Sequence, residues 1–237
     1  MSHKTKKPPY ITVQEMRDNP KWLENQDKRR VSTRFEGTTT PRVAWKYFAG
    51  KENGHILECG PHTGMFTKLL LEKGFKNVHT VDFFDALHFV SKKDIDFKIL
   101  DLNEERLPYQ DNFFDGVTAW GIIEHMENPF LFMREIHRSL KPDGYFIAAI
   151  PNPYHIMSRL IFLKRGEMPR WSYGNNHIFV FTKGIFKKTY LRYFDLVETI
   201  YTQPAIEYPV VKMFNRFLPA NEWFGNYVVW VLRKKSI

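Results

Sequence analysis

Gly54-His-Ile-Leu-Glu-Cys-Gly-Pro-His-Thr-Gly64 is the stretch that decides the fold. His55–Cys59 is a short apolar run that ends in a Gly-rich turn, the mark of a buried strand. From Thr63 to Lys73 the apolar residues Phe66, Leu69 and Leu70 recur at helical spacing, and Gly74 stops the run. A strand that turns through glycines straight into a helix opens a βαβ unit, and the same alternation continues downstream. Asn77–Val81 reads as a second strand ending at Asp82, Asp85–Ser91 as a helix, and Asp96–Leu100 as a third strand ending at Asp101. Phe114–Ala119 is a fourth strand. Asn128-Pro129 then opens an amphipathic helix whose Phe130, Met133, Ile136, His137 and Leu140 share a face, and which closes at Lys141–Gly144. Tyr145–Ile150 is a fifth strand, and an irregular insertion follows from Pro151 to about Asn176. Thr182–Phe194 reads as a helix, and Leu196–Thr202 and Asn226–Lys234 as two last strands.

Upstream of the decisive stretch the pattern is looser. Residues 1–10 read as a disordered tail, Thr12–Arg30 as one or two short helices, and Ser32–Thr40 as turn-rich. Pro41 sits where a first helical residue is tolerated, with Val43, Ala44, Tyr47 and Phe48 at helical spacing behind it. Strand alternating with helix implies an α/β fold, a parallel sheet with helices on both faces. Ligands of such sheets lie outside the carboxyl ends of the strands.

The whole chain has 237 residues, enough for one α/β core, and 43% hydrophobic and 16% aromatic residues exclude a disordered chain. Its one cysteine, Cys59, excludes an intrachain disulfide and a multi-cysteine metal site. The start is basic with no apolar stretch behind it, and the longest apolar runs are strand-length. The expectation is therefore a soluble, cytoplasmic protein without a secretory signal. The net charge of +9 is unevenly placed: +6 over residues 1–50, −5 over 51–150 and +8 over 151–237. Basic flanks favour an anionic partner, or are simply a well-solvated exterior.

Three acidic residues, Glu58, Asp82 and Asp101, close three successive strands and would crowd one rim of the sheet. The Gly60–Gly64 turn lacks the Gly-Lys-Ser/Thr ending of a phosphate-binding loop, so its use would be close backbone approach to a ligand at a helix N-terminus. Asp82 stands 22 residues after Gly60, where a carboxylate can accept hydrogen bonds from both hydroxyls of a ribose.

The segments HILECGPHTGMFTKLL, VHTVDFFDAL and FKILDLNEERLPYQDNFFDGVTAWGIIEHMENPFLFMREIHRSLKPDGYFIAAIPNP together resemble the class I S-adenosylmethionine-dependent methyltransferases over residues 53–153. Within that class they are most like the branch of ubiquinone-type and glycan- or natural-product-modifying O-methyltransferases. The resemblance implies a Rossmann-like, seven-stranded, mostly parallel sheet with helices on both faces and its last strand antiparallel. Residues 1–50 would be a tail and helical extension, and residues 51–237 the methyltransferase domain, with an acceptor-side insertion at about 154–176. It implies S-adenosyl-L-methionine as cofactor. Glu58, Gly60, Pro61, His62 and Gly64 would face its methionine part, Asp82 its ribose and Phe83 its adenine. Asp101 and Leu102 would meet the adenine edge and ring, and Trp120 with Gly121 would line the cofactor. His62 departs from the family's pattern, which commonly has glycine there.

For a hydroxyl acceptor the protein must also remove a proton. His125, in Ile123-Glu124-His125-Met126, is the first candidate base. His177, in Asn175-Asn176-His177-Ile178-Phe179, resembles a histidine element near the acceptor and is the second. Either could instead be structural. Some relatives bind a divalent metal through an extra carboxylate three residues before this Glu. That position is Gly121 here, so no metal is expected. Pro151-Asn152-Pro153-Tyr154 follows strand five rather than strand four, which argues against the amino-methylating nucleic-acid enzymes, and Cys59 belongs to the strand-one turn. The insertion interleaves Ile156, Leu160, Ile161 and Leu163 with Arg159, Lys164, Arg165 and Arg170. It could cover the acceptor, grip an anion, rest on a membrane surface, or be a core helix with a basic outer face.

The expected function is methyl transfer to a hydroxyl, or another heteroatom, of a small or carrier-linked, anionic acceptor such as a sugar, glycan precursor or secondary metabolite. An RNA or protein methyltransferase and a non-catalytic cofactor-binding or interaction protein are the alternatives; a nucleic-acid partner is not expected. Oligomeric state is not legible in the sequence.

Overall fold

The computed structural model describes residues 12–19, 39–204 and 217–236. The tail over residues 1–10, and most of the Thr12–Arg30 and Ser32–Thr40 stretches, lie outside the described residues. A short helix α1 (Val13–Arg17) is closed by a capping box, in which the Thr12 hydroxyl accepts from Glu15 N–H and the Glu15 carboxylate from Thr12 N–H. Helix α2 (Thr39–Phe48) begins two residues before Pro41. Proline is harmless so early, because the first-turn amides have no intrahelical acceptor.

The sheet contains β1 (His55–Cys59), β2 (Asn77–Asp82), β3 (Asp96–Ile99), β4 (Phe114–Trp120), β5 (Leu140–Pro151), β6 (Phe194–Tyr201) and β7 (Tyr227–Lys234). Their order is β3-β2-β1-β4-β5-β7-β6. All neighbours from β3 to β5 are parallel, while β7 runs antiparallel between β5 and β6. The architecture inferred from the sequence is the one observed. Because the order reverses between β1 and β4, a crevice opens at the carboxyl ends of those two strands.

Strand parity divides the interior into two layers. On one face, Leu57, Val117, Phe146 and Ala148 meet Phe132, Met133 and Ile136 of α4 (Pro129–Ser139). On the other, Ile56, Ile147, Val229 and Val231 meet Phe66 and Leu70 of α3 (Met65–Glu72), together with Val43, Ala44 and Phe48 of α2. Helix α2 lies hard against β4: a Cβ on Gly116 would stand 2.4 Å from Phe48 Cε1. Full burial of a phenylalanine such as Phe48 contributes about 1.5–3 kcal/mol, so α2 belongs to the core. At the amino ends of the strands, His55 Nδ1 and Asp96 Oδ2 flank the His79 ring, each at 2.9 Å, and the Tyr109 hydroxyl donates to the same Asp96 oxygen.

Four local readings need correction. Residues 85–91 form no helix, because His88 and Phe89 give their N–H groups to Thr63 O and Leu87 N–H goes to Asp85 Oδ1. The helix over Thr182–Phe194 is two, α6 (Lys183–Lys188) and α7 (Tyr190–Tyr193), broken at Thr189 (φ −107°, ψ −76°). Lys141–Gly144 is an irregularity inside β5 rather than a turn before it, since Leu140 already pairs with Phe114 and regular pairing resumes at Tyr145 with Gly116. The insertion is not wholly irregular: α5 (Ile156–Arg165) starts on His155, whose ring accepts Met157 N–H, and stops at Gly166 with φ 71°.

Helix α5 is no core helix. Only Ser158 is buried, and Leu160, Phe162 and Leu163 are exposed. Among the described residues no helix is long and apolar enough to cross a membrane.

Candidate functional site

The turns after β1, β2, β3 and β4 converge on one cavity of about 380 Å³, within the range of small-molecule sites. The first turn is shaped by its glycines. Gly60 (φ 69°) donates its N–H to Val81 O at 2.8 Å, and a Cβ there would meet Ile122 Cγ2 at 2.4 Å. Gly64 (φ 80°) donates to Pro61 O and sits under Val90 and Leu87. His62 lies between them at φ 48°, so the backbone keeps the left-handed form without glycine. His62 lines the cavity, and its ring stands edge-on to Phe84, with centroids 6.2 Å apart.

Asp82 ends β2 on the cavity wall and is buried. Its carboxylate accepts the N–H groups of His62 (3.2 Å) and Phe83 (2.8 Å). Burial pushes its pKa up to about 7 against the pull of those amides. Asp101, just after β3, is also buried on the wall and accepts Asn103 N–H at 2.9 Å. Phe83, Leu102 and Trp120 complete this side. The Trp120 Nε1–H is buried without a partner among the described residues.

Not all the expected residues reach the cavity. Glu58 lies behind the wall, where its carboxylate accepts the Thr67 hydroxyl of α3 at 2.5 Å. Burial, with the Asp82 charge adding to it, pushes the pKa of Glu58 up to about 8. Pro61 and Gly64 shape the turn without lining the cavity. Other lining residues went unread in the sequence, above all Val13 and Met16, through which α1 closes the cavity while Arg17 donates to Phe83 O. The Thr12-x-x-Glu15 capping box was the available signal for that helix.

At the far side of the cavity, β4 runs through Gly121 into a 3₁₀ turn over Ile123–His125. The Glu124 carbonyl accepts Ile178 N–H (2.8 Å) and Phe179 N–H (3.1 Å), which carries His177 to His125. The two rings stand edge to face with centroids 4.6 Å apart. His125 Nδ1–H donates to Asn176 O at 3.0 Å, so its Nε2 carries the lone pair. His125 and Asn176 line the cavity; His177 lies just behind them. Burial pushes Glu124 up to about 8. It also holds His177 down at about 4, with the charge of His125 adding to the effect. Gly121 offers no ligand, as its lack of a side chain requires, but His177 brings a third group to the Glu124-His125 pair.

The methyltransferase-domain family model matches residues 37–189, more than half of the chain. Over 103 residues the chain is 27% identical to a tRNA U34 carboxymethyltransferase of Nautilia profundicola, covering 40% of this chain and 34% of that protein. It spans between a third and a half of the length of the curated relatives it matches. Among solved structures, a SAM-dependent methyltransferase from Archaeoglobus fulgidus superposes with a TM-score of 0.63 at 20% identity, over 90% of this chain and 99% of that one. A chain in the complex of the Haloferax volcanii Trm112 methyltransferase activator with a methyltransferase gives 0.63 at 18% identity, over 94% and 98%. At these identities the likeness is one of fold.

The donor set suits the family's cofactor. A buried carboxylate such as Asp82 is costly unless hydrogen-bond donors meet it, and paired ribose hydroxyls are such donors. The match over residues 37–189 and the crevice geometry lead to one conclusion: the chain belongs to the methyltransferase-domain family, with S-adenosylmethionine as its cofactor.

Proposed function

We propose that the protein transfers a methyl group to a hydroxyl oxygen of a small or carrier-linked, anionic acceptor, of the sugar, glycan-precursor or secondary-metabolite kind. When bound, S-adenosylmethionine supplies a methyl on a sulfonium, already activated for in-line displacement. Asp82 would hold the ribose, Asp101 and Leu102 the adenine edge and ring, and Phe83 and Trp120 the apolar flank. Holding the two reactants in line contributes about 7–11 kcal/mol to such a reaction.

The observation that carries the hydroxyl reading is the His125–His177 pair at the cavity's far side. With Nδ1–H fixed on Asn176 O, His125 presents Nε2 as the proton acceptor, and His177 is the second candidate. The basic flanks support an anionic acceptor. Turnover across hydroxylated acceptors, each with and without a phosphate or carboxylate, is expected to favour the anionic member of each pair. On the best of them His125→Ala is expected to lower kcat by about 10²–10⁴-fold while S-adenosylhomocysteine binds as in the wild type. A variant that keeps most of its kcat removes the base role.

An RNA acceptor is the second reading. It is supported by the net +8 of residues 151–237 and by the likeness to the Nautilia protein. Its signature is an RNA affinity that falls steeply with salt.

A further inference from the structure

We propose that the side-chain amide of Asn103 is a specificity-determining contact to the cofactor's base, with Nδ2–H donating to a ring nitrogen beside the exocyclic amino group of adenine. This contact rests on the reading that Asp101 and Leu102 meet the adenine. Asn103 follows them along the same cavity wall.

The orientation of the amide is fixed from outside the cavity. Asn103 Oδ1 accepts two successive backbone amides of the loop after β4, Glu127 N–H at 2.9 Å and Asn128 N–H at 3.1 Å. Asn128, the N-cap of α4, returns the contact by donating its Nδ2–H to Asn103 O at 3.4 Å. An N–H group donates only to the oxygen end of a side-chain amide, so these bonds define which end is which. The Nδ2 end has no partner among the described residues.

Asp101 supplies the complementary half. It is buried; its Oδ1 accepts Asn103 N–H at 2.9 Å, and its own N–H goes to Glu105 Oε1 at 2.8 Å. Its Oδ2 accepts no hydrogen bond among the described residues. The wall thus offers one acceptor and one donor, two residues apart and tied to each other. Adenine presents the matching set, an amino group flanked by N1 and N7, whereas guanine and hypoxanthine carry an oxygen in place of that amino group. A donor–acceptor pair matched to a base edge discriminates by about 10–100-fold. Because Oδ1 is already held, the amide loses little freedom when the base arrives.

Asn103→Asp separates the contact from the clasp. The carboxylate keeps an oxygen for the Glu127 and Asn128 amides but replaces the Nδ2 donor with an acceptor. S-adenosylhomocysteine and its 1-deaza and 7-deaza analogues, in which CH replaces N1 or N7, are titrated into both proteins by calorimetry. Hydrogen exchange at the Glu127 and Asn128 amides reports the clasp and should be unchanged. Asn103→Asp is expected to bind S-adenosylhomocysteine about 10–100-fold more weakly. The wild type should lose a similar factor with one of the two analogues, and the variant should hardly distinguish that analogue from the parent. This cycle removes any general effect of the added charge. The wild type carries the same test without a variant: its Asn103 side-chain amide resonances should move with S-adenosylhomocysteine and stay in place with that analogue. Unchanged affinity in Asn103→Asp overturns the contact, as do side-chain resonances indifferent to all three ligands. So does a deaza loss of equal size in both proteins, which assigns the nitrogen to a donor such as Leu102 N–H. Asp101→Asn tests the reading beneath. If it weakens S-adenosylhomocysteine while Asn103→Asp does not, the adenine lies on this wall and Asn103 is a clasp alone. If neither variant and neither analogue changes affinity, the adenine lies elsewhere.

Discussion

Asp82→Ala is expected to weaken S-adenosylhomocysteine binding by about 10²–10⁴-fold, because two hydrogen bonds to a charged group contribute roughly 1.5–3 kcal/mol each. The His62 and Phe83 amides already hold the carboxylate at the carboxyl end of β2, so little ordering is needed on binding. The pKa of about 7 adds a second signature. The ionised form accepts both hydroxyl protons, so wild-type affinity should climb from pH 6 to pH 8 and then level off. Asp82→Asn should bind weakly with no such climb. Without ligand the sign reverses. A carboxyl whose pKa is raised by folding contributes stability that is fully present below its unfolded pKa, near 4, and lost as pH rises through its folded one. Asp82 at about 7 and Glu58 at about 8 therefore make the apo protein progressively less stable as pH rises from about 4, the loss being complete near pH 7 for Asp82 and near pH 8 for Glu58. Asp82→Asn and Glu58→Gln should each flatten that fall in a thermal-melting series. Wild-type affinity in Asp82→Ala would remove Asp82 from the cofactor's binding set.

The strand ends were legible because they obey local rules. The apolar run of β1 ends in a glycine turn and those of β2 and β3 each end in an acid, and period and punctuation alone placed Asp82 and Asp101 on the rim. Glu58 follows the parity of its strand. Residues two apart on a strand share a face, so Glu58 goes with Ile56 toward α3 and not with Leu57. The loop over 85–91 failed for another reason: its helical spacing is real, but amide bonds to Thr63 O, 25 residues upstream of His88, outweigh it. The His125–His177 pair needed tertiary contact outright. Nothing in either segment announces that Ile178 and Phe179 will donate to Glu124 O, and without those two bonds His177 has no reason to stand beside His125.

Gly60→Ala is expected to cost about 2–5 kcal/mol of stability, combining roughly 1–2 kcal/mol for the left-handed backbone with about 1–3 kcal/mol for overpacking. The two parts can be separated. His62, two residues on in the same turn, holds φ 48° with a full side chain, so the left-handed form alone does not demand glycine here. What distinguishes Gly60 is Ile122 Cγ2, 2.4 Å from where its Cβ would stand. Ile122 also lines the cavity, so pushing it aside should weaken S-adenosylhomocysteine as well as lower the urea midpoint. Ile122→Ala removes the obstructing methyl. The double variant Gly60→Ala/Ile122→Ala should therefore be more stable than the two single losses added together, by about 1–3 kcal/mol, the overpacking share. Strict additivity would mean that the turn tolerates no Cβ at residue 60 for backbone reasons alone. Glycine would then be required by its own φ of 69° and not by the strand-four loop packed across it.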